Sequence, residues 1–250
     1  MKNPDLVRIF IGYDHRETVA FNVLTHCINT LSSLPVSIYP INLHHLTQIF
    51  HREKDPKQST DFSFSRFLAP YLSSYKGWSI FMDCDMLLRD DIANLWALRD
   101  ERYAVMCVKH DHRPKNDTKF LNEPQTRYEK KNWSSVMLLN NPMCRALTPS
   151  YVNEATGLEL HQFKWLESDD LIGCLPPEWN HLVGWNKPNP AAKLIHFTEG
   201  GPYFNEYRNC EFADQWCSAE QAVLHRQQDD SLAQKPTHPI SAAHKQSRQT

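Results

Sequence analysis

Ile80-Phe81-Met82-Asp83-Cys84-Asp85-Met86-Leu87-Leu88 is an apolar run broken by two carboxylates one residue apart. Charges are rarely left in a buried strand without a partner, because taking them out of water is costly. A divalent cation partners two acids economically, and hard oxygen ligands suit Mg²⁺ or Mn²⁺ bridging a diphosphate. A bare Asp-x-Asp also recurs on solvated loops. Here the apolar flanks, followed by Arg89-Asp90-Asp91 and a helical pattern, place the pair at a strand end.

Upstream, Val7 to Gly12 is β-favouring, and Val19, Val23, Leu24, Cys27, Ile28 and Leu31 then return to one helix face. Further strands are expected at Val36 to Ile41, Trp78 to Met82, Tyr103 to Val108, Ser134 to Leu139 and Lys193 to Phe197. Helices are expected from Phe62 to Leu72 despite Pro70, and from Asp91 to Trp96. Strands alternating with helices predict an α/β fold with a mostly parallel central sheet and helices on both faces. Ligands in such sheets sit beyond the strands' carboxyl ends, which puts Gly12-Tyr13 and Asp83-Cys84-Asp85 on one rim.

The 250 residues, 41% hydrophobic and 22% charged, fit one domain, expected over residues 1–225 with a polar, unstructured tail over 226–250. A formal net charge of −2 leaves no broad electrostatic footprint for nucleic acid or an anionic membrane surface. No stretch is long enough to span a bilayer, and Met1 to Asp5 leads straight into a strand with no apolar leader. Seven cysteines without a C-x-x-C pair read as reduced thiols of a cytosolic protein.

His196 ends an apolar run just before Gly200-Gly201, where backbone can approach a ligand. A lone histidine there is ordinarily a core residue; beside Asp83 and Asp85 its imidazole would favour Mn²⁺ over Mg²⁺. Arg66 interrupts an apolar face, either snorkelling to solvent or presenting its fork to a phosphate or sugar. Asp169 and Asp170 either cap a short helix or contact substrate. Trp133, Trp179 and Trp185 are expected in the core, and His44-His45 and His110-x-His112 lack further ligands at metal spacing. Lys130-Lys131 with Arg127 reads as a solvated loop, and the polar stretch Lys109 to Asn132 as a candidate lid.

Taken in order, Ile9-Phe10-Ile11-Gly12-Tyr13, Ser65-Arg66-Phe67, the Asp-x-Asp pair, Asn132 to Leu138, Asp169-Asp170, Leu175 to Asn180 and His196 to Gly200 resemble a retaining glycosyltransferase of family 8 or a close relative, the glycogenin and lipopolysaccharide galactosyltransferase kind. The resemblance covers Val7 to about Tyr207 and implies a GT-A fold with a nucleotide-diphosphate sugar, most often a UDP-sugar, as donor. It implies that Asp83, Asp85 and His196 hold Mn²⁺ or Mg²⁺, with Arg66 at the diphosphate or sugar and Asp169 and Asp170 at the sugar. Phe10, Ile11, Gly12 and Tyr13 would cradle the base and ribose, with Cys84, Gly200 and Gly201 also on the nucleotide's side. Two segments depart from the family: Ser168-Asp169-Asp170 stands for Asp-Gln-Asp, and Gly201-Pro202-Tyr203 for Lys-Pro-Trp, without the usual lysine. The resemblance also implies an acceptor, saccharide, lipid-linked or protein.

Two other readings fit some of the same residues. In a phosphatase of the haloacid dehalogenase kind Asp83 would be the nucleophile and Asp85 the acid/base, with Asp169-Asp170 as distal ligands and Lys164 nearby. A non-catalytic nucleotide-sugar-binding module would keep the fold without turnover.

Overall fold

The structure is a computed structural model that describes residues 6–55, 58–111, 121 and 129–233. Nine strands form two sheets among the described residues. They are β1 (Val7–Gly12), β2 (Val36–Ile41), β3 (Trp78–Met82), β4 (Met86–Leu88), β5 (Val105–Cys107), β6 (Val136–Asn140), β7 (Ile172–Cys174), β8 (His181–Leu182) and β9 (Leu194–His196). The larger sheet has the order β2-β1-β3-β6-β5-β7, and the smaller β4-β9-β8. In the larger sheet β6 alone runs against its neighbours; the other pairings are parallel.

Every residue of β3 and β6 is buried, as expected of central strands covered on both faces. Helix α1 (Thr18–Leu31) buries Ala20, Val23, Leu24, Cys27 and Ile28, the face its spacing predicts, and packs on β4 and α6 (Ala213–Ala233). The helix expected from Phe62 splits into a 3₁₀ turn, Ser65–Leu68, and α2 (Ala69–Leu72). Pro70 explains the break: it lacks an N–H and its ring clashes with the preceding turn, so it is tolerated only in a helix's first turn. Helix α3 (Ile92–Trp96) is capped by the Asp91 side chain. Helices α4 (Pro149–Glu154) and α5 (Gly157–His161) complete the set.

Two expectations about surface segments meet the limits of the described residues. Most of the lid segment, including His112 and Arg127, lies outside them. Helix α6 runs on to Ala233, past Arg226 where the tail is expected to start, and residues 234–250 lie outside.

The Asp83-Cys84-Asp85 segment is the crossing between sheets. Its backbone is clamped on both sides: Asp83 N–H donates to Ser135 O (2.9 Å), and Phe197 N–H donates to Asp85 O (2.9 Å). In the smaller sheet Met86 lies opposite His196, so register alone carries the histidine to the acids. At the end of β1 the constraint is steric: a Cβ on Gly12 would lie 2.3 Å from the ring of the fully buried Phe62. We expect Gly12→Ala to destabilise the fold by ~1–3 kcal/mol through overpacking, seen as a lower denaturation midpoint. An unchanged midpoint would show that the Phe62 ring can yield.

Candidate metal and sugar site

Asp83, Asp85 and His196 are 9%, 4% and 2% exposed, and each offers a ligand atom within 4.8 Å of the others. His196 Nε2 stands 3.5 Å from Asp85 Oδ1, and its Nδ1 3.0 Å from Asn180 Oδ1. Two carboxylate oxygens and an imidazole nitrogen are a donor set that fits Mg²⁺ or Mn²⁺, and the nitrogen suits the latter better.

Arg66 does not snorkel. It is 6% exposed, lies over the neighbouring rings of Phe62 and Phe81, and pairs through Nη1 with Asp83 Oδ1 at 2.7 Å. Its Nε donates to the Ser63 carbonyl (3.1 Å) and Nη1 also donates to the Ser134 carbonyl (2.9 Å). Arg66 thus positions Asp83 and spends most of its hydrogen-bonding capacity on protein groups.

These residues line a cavity of ≈ 410 Å³. One wall is the 58–66 segment, tied to the turn after β1 by the buried Asp14, which accepts from the Asp61 amide (3.1 Å) and from Arg16 Nε (2.9 Å) and Nη2 (2.6 Å). Burial alone would raise the Asp14 carboxyl, but these bonds outweigh it and hold it below the ordinary value. Asp14, His15 and Asp61 also come within 4.8 Å of one another, but the Arg16 fork already neutralises Asp14. The opposite wall is α5, whose Thr156 and Glu159 form a capping box, and it ends on His161.

His161 was not singled out from sequence, since a histidine closing a five-residue helix carries no periodic signal. Its Nδ1 lies 2.8 Å from Ser134 Oγ and its ring sits edge-on to Phe67. Burial, reinforced by the cations Arg66, Lys131 and Arg52, pushes its pKa well below the ordinary value, so the ring is neutral at pH 7. Lys131 also lines the cavity, which corrects its reading as a solvated loop. Lys130, 11% exposed, bonds Asp169 Oδ1 (2.6 Å) and Gln162 O (3.0 Å).

The other expected site residues do not line this cavity. Asp169 and Asp170 are exposed on a 3₁₀ turn outside the cavity lining, Asp169 held low by the bond from Lys130 and Asp170 bonded to Ser168. The side chains of Phe10 and Ile11 are spent in the core, and Gly12 packs on Phe62. The partly buried Tyr13 meets the Thr18 hydroxyl at 3.0 Å. Cys84 is fully buried with Sγ 3.9 Å from Glu17, and burial plus Glu17, Asp85 and Asp83 push its thiol well up. Gly201 packs on the Tyr203 ring, whose hydroxyl donates to Glu17 (2.7 Å). Gly200 adopts φ 139°, a conformation that side chains rarely take. Trp179 is core, while Trp133 and Trp185 are partly buried with their N–H groups on His110 O (2.8 Å) and Glu199 (3.1 Å).

Two outcomes follow from these environments. Arg66→Met should destabilise by ~3–5 kcal/mol, because it strands the Asp83 charge in the interior; chemical denaturation measures it, and a loss below 1 kcal/mol would contradict the pairing. As pH falls below about 6.5, unfolded His161 takes up a proton that the folded ring resists, so stability drops by up to ~1.4 kcal/mol per unit. His161→Gln should flatten denaturation midpoints between pH 7 and 5.5, whereas an unaltered slope would contradict a neutral, partly buried ring.

No protein-family profile matches the chain. Among solved structures, a WbbM bifunctional glycosyltransferase superposes with TM-score 0.59 at 13% identity, over 90% of this chain and 52% of that one. GlyE of Streptococcus pneumoniae TIGR4 gives TM-score 0.59 at 12% identity, over 91% and 64%. The galactosyltransferase LgtC, solved with donor and acceptor sugar analogues, gives 0.54 at 10% identity, over 86% and 96%. The chain therefore has the GT-A fold of these glycosyltransferases, spanning about half the length of WbbM and under two thirds of GlyE. In sequence it is 48% identical over 218 residues, 84% of both chains, to Protein CDI of Arabidopsis thaliana, and so it belongs to the family of Protein CDI.

Proposed function

We propose that the chain is a metal-dependent retaining glycosyltransferase, of family 8 or a close relative, using a UDP-sugar as donor. The observation that carries the proposal is the meeting of Asp83, Asp85 and His196, drawn from two strand ends, on the wall of one polar cavity. Mn²⁺ or Mg²⁺ held by these three residues would supply fixed positive charge for the donor's diphosphate. Arg66 orients Asp83 and offsets its charge, and Lys131 adds positive charge to the same wall. Gln58, Thr60, Asn132, Ser134 and Thr198 line the cavity with amides and hydroxyls, chemistry that suits sugar hydroxyls.

The base and ribose are assigned to the rim between the turn after β1 and the Gly200-Gly201 turn. The Tyr203–Glu17 bond draws these two segments together. Retention of configuration and the choice of UDP rest on the sequence resemblance. The acceptor, saccharide, lipid-linked or protein, is assigned to the open side of the cavity.

The phosphatase reading is not favoured, because its distal acids and Lys164 are exposed outside the cavity. All seven cysteines are free, which supports work in a reducing, cytosolic compartment. Among the described residues no helix is long and apolar enough to cross a membrane.

UDP should raise the melting temperature in Mn²⁺ or Mg²⁺ and leave it unchanged in a chelator, and Asp85→Ala should abolish the response. Equal stabilisation in the chelator would contradict the proposal. Binding without transfer or hydrolysis of any nucleotide sugar would favour the non-catalytic module.

A further inference from the structure

The two ring nitrogens of His196 face different partners, Nδ1 toward Asn180 Oδ1 and Nε2 toward Asp85 Oδ1. Which one carries the proton is settled by a series of bonds that ends on a group with no proton to give. Asn132, in a left-handed conformation (φ 65°), presents its carbonyl to the Ser135 hydroxyl, which donates to it at 2.7 Å. With that proton committed, Ser135 Oγ accepts from the Asn180 amide nitrogen at 2.9 Å. The same nitrogen stands 3.4 Å from the Asn132 carbonyl. An atom within reach of a carbonyl and a committed hydroxyl must be the NH₂ end of the amide. The end facing His196 is therefore oxygen, and an oxygen 3.0 Å from Nδ1 requires that Nδ1 carry the proton. A neutral ring then turns its lone pair at Nε2 toward Asp85.

The structure assigns Asn180 as a positioning residue that locks His196 in the Nδ1–H tautomer, leaving Nε2 as its ligating atom. Asn180 is 0% exposed and follows a 3₁₀ turn, Pro177–Trp179, so its amide is held by packing as well as by Ser135. Metal-bound histidines are commonly oriented in this way through their other nitrogen. The tautomer stands on the hydrogen bonds alone; its use in ligation rests on the cation site proposed above. The plainer role would be structural, with Asn180 only fastening the 177–180 turn to the 132–135 turn.

Nitrogen-15 NMR of the metal-free full chain, at a pH where the ring is neutral, reads the tautomer directly. Wild type should show Nδ1–H, and Asn180→Leu should move the ring toward Nε2–H. Asn180→Asp, which keeps an acceptor facing Nδ1, should restore Nδ1–H. Mn²⁺ affinity, followed by the electron paramagnetic resonance of free Mn²⁺, should fall ~10–100-fold in Asn180→Leu and largely recover in Asn180→Asp. If the leucine variant does not fold, Ser135→Ala releases the Asn180 amide to turn, and a mixture of tautomers is expected.

Wild type in the Nε2–H form overturns the assignment. So does a folded Asn180→Leu protein, or a Ser135→Ala protein, with wild-type tautomer and wild-type Mn²⁺ affinity. A wild type that shows Nδ1–H but binds no Mn²⁺ overturns the proposed cation site and the ligand role while upholding the lock on the ring.

Discussion

The structure depends on how one short crossing, Asp83-Cys84-Asp85, is held between two sheets while carrying two buried acids. Main-chain bonds to Ser135 and from Phe197 fix its backbone, which holds both carboxylates at the cavity. The fully buried Glu17 adds to the negative field there, and the Cys84 thiol and Tyr203 hydroxyl are both pushed up by burial and by Glu17. Arg66 offsets part of this charge through Asp83. A bound cation would offset more, and anything that binds only the folded state adds to its stability. Folding and ligation are thus expected to be linked.

The same geometry explains why the cavity is polar and anchored. Its 58–66 wall hangs from Asp14 and Arg16 after β1, and the end of α4, which leads into its α5 wall, is pinned where Arg52 donates to the carbonyls of Val152 (3.1 Å) and Ala155. Arg66, reaching from the first wall to the Ser134 carbonyl, links both to the acidic crossing. Rigid surroundings of this kind hold a site in a productive geometry without waiting for substrate.

Much of this was legible in the sequence because burial writes a period into the chain. The strands β1, β2 and β3 and the helix α1 follow from apolar spacing, and the Asp-x-Asp pair stands out because it interrupts a buried run. His196 was legible for the same reason, and β4–β9 pairing supplies the contact that sequence can only suggest. Short elements such as β7, β8 and α5 escaped because two to five residues leave no period to detect. His161 gave no sequence signal, and Asn180 and Lys131 stood in the sequence without the contacts that bring them near the acids, because those contacts are distant along the chain, such as Asn180 to Ser135. Asp169 and Asp170 showed the converse: acids in a promising sequence position turned out to be exposed and bonded locally or to Lys130.

The most direct test of the central claim is anomalous diffraction from crystals soaked in Mn²⁺ and UDP. One strong peak is expected, coordinated by Asp83, Asp85 and His196 Nε2, with the nucleotide's diphosphate on its open side. A bound nucleotide with no peak there, or a peak held by other residues, would contradict the claim.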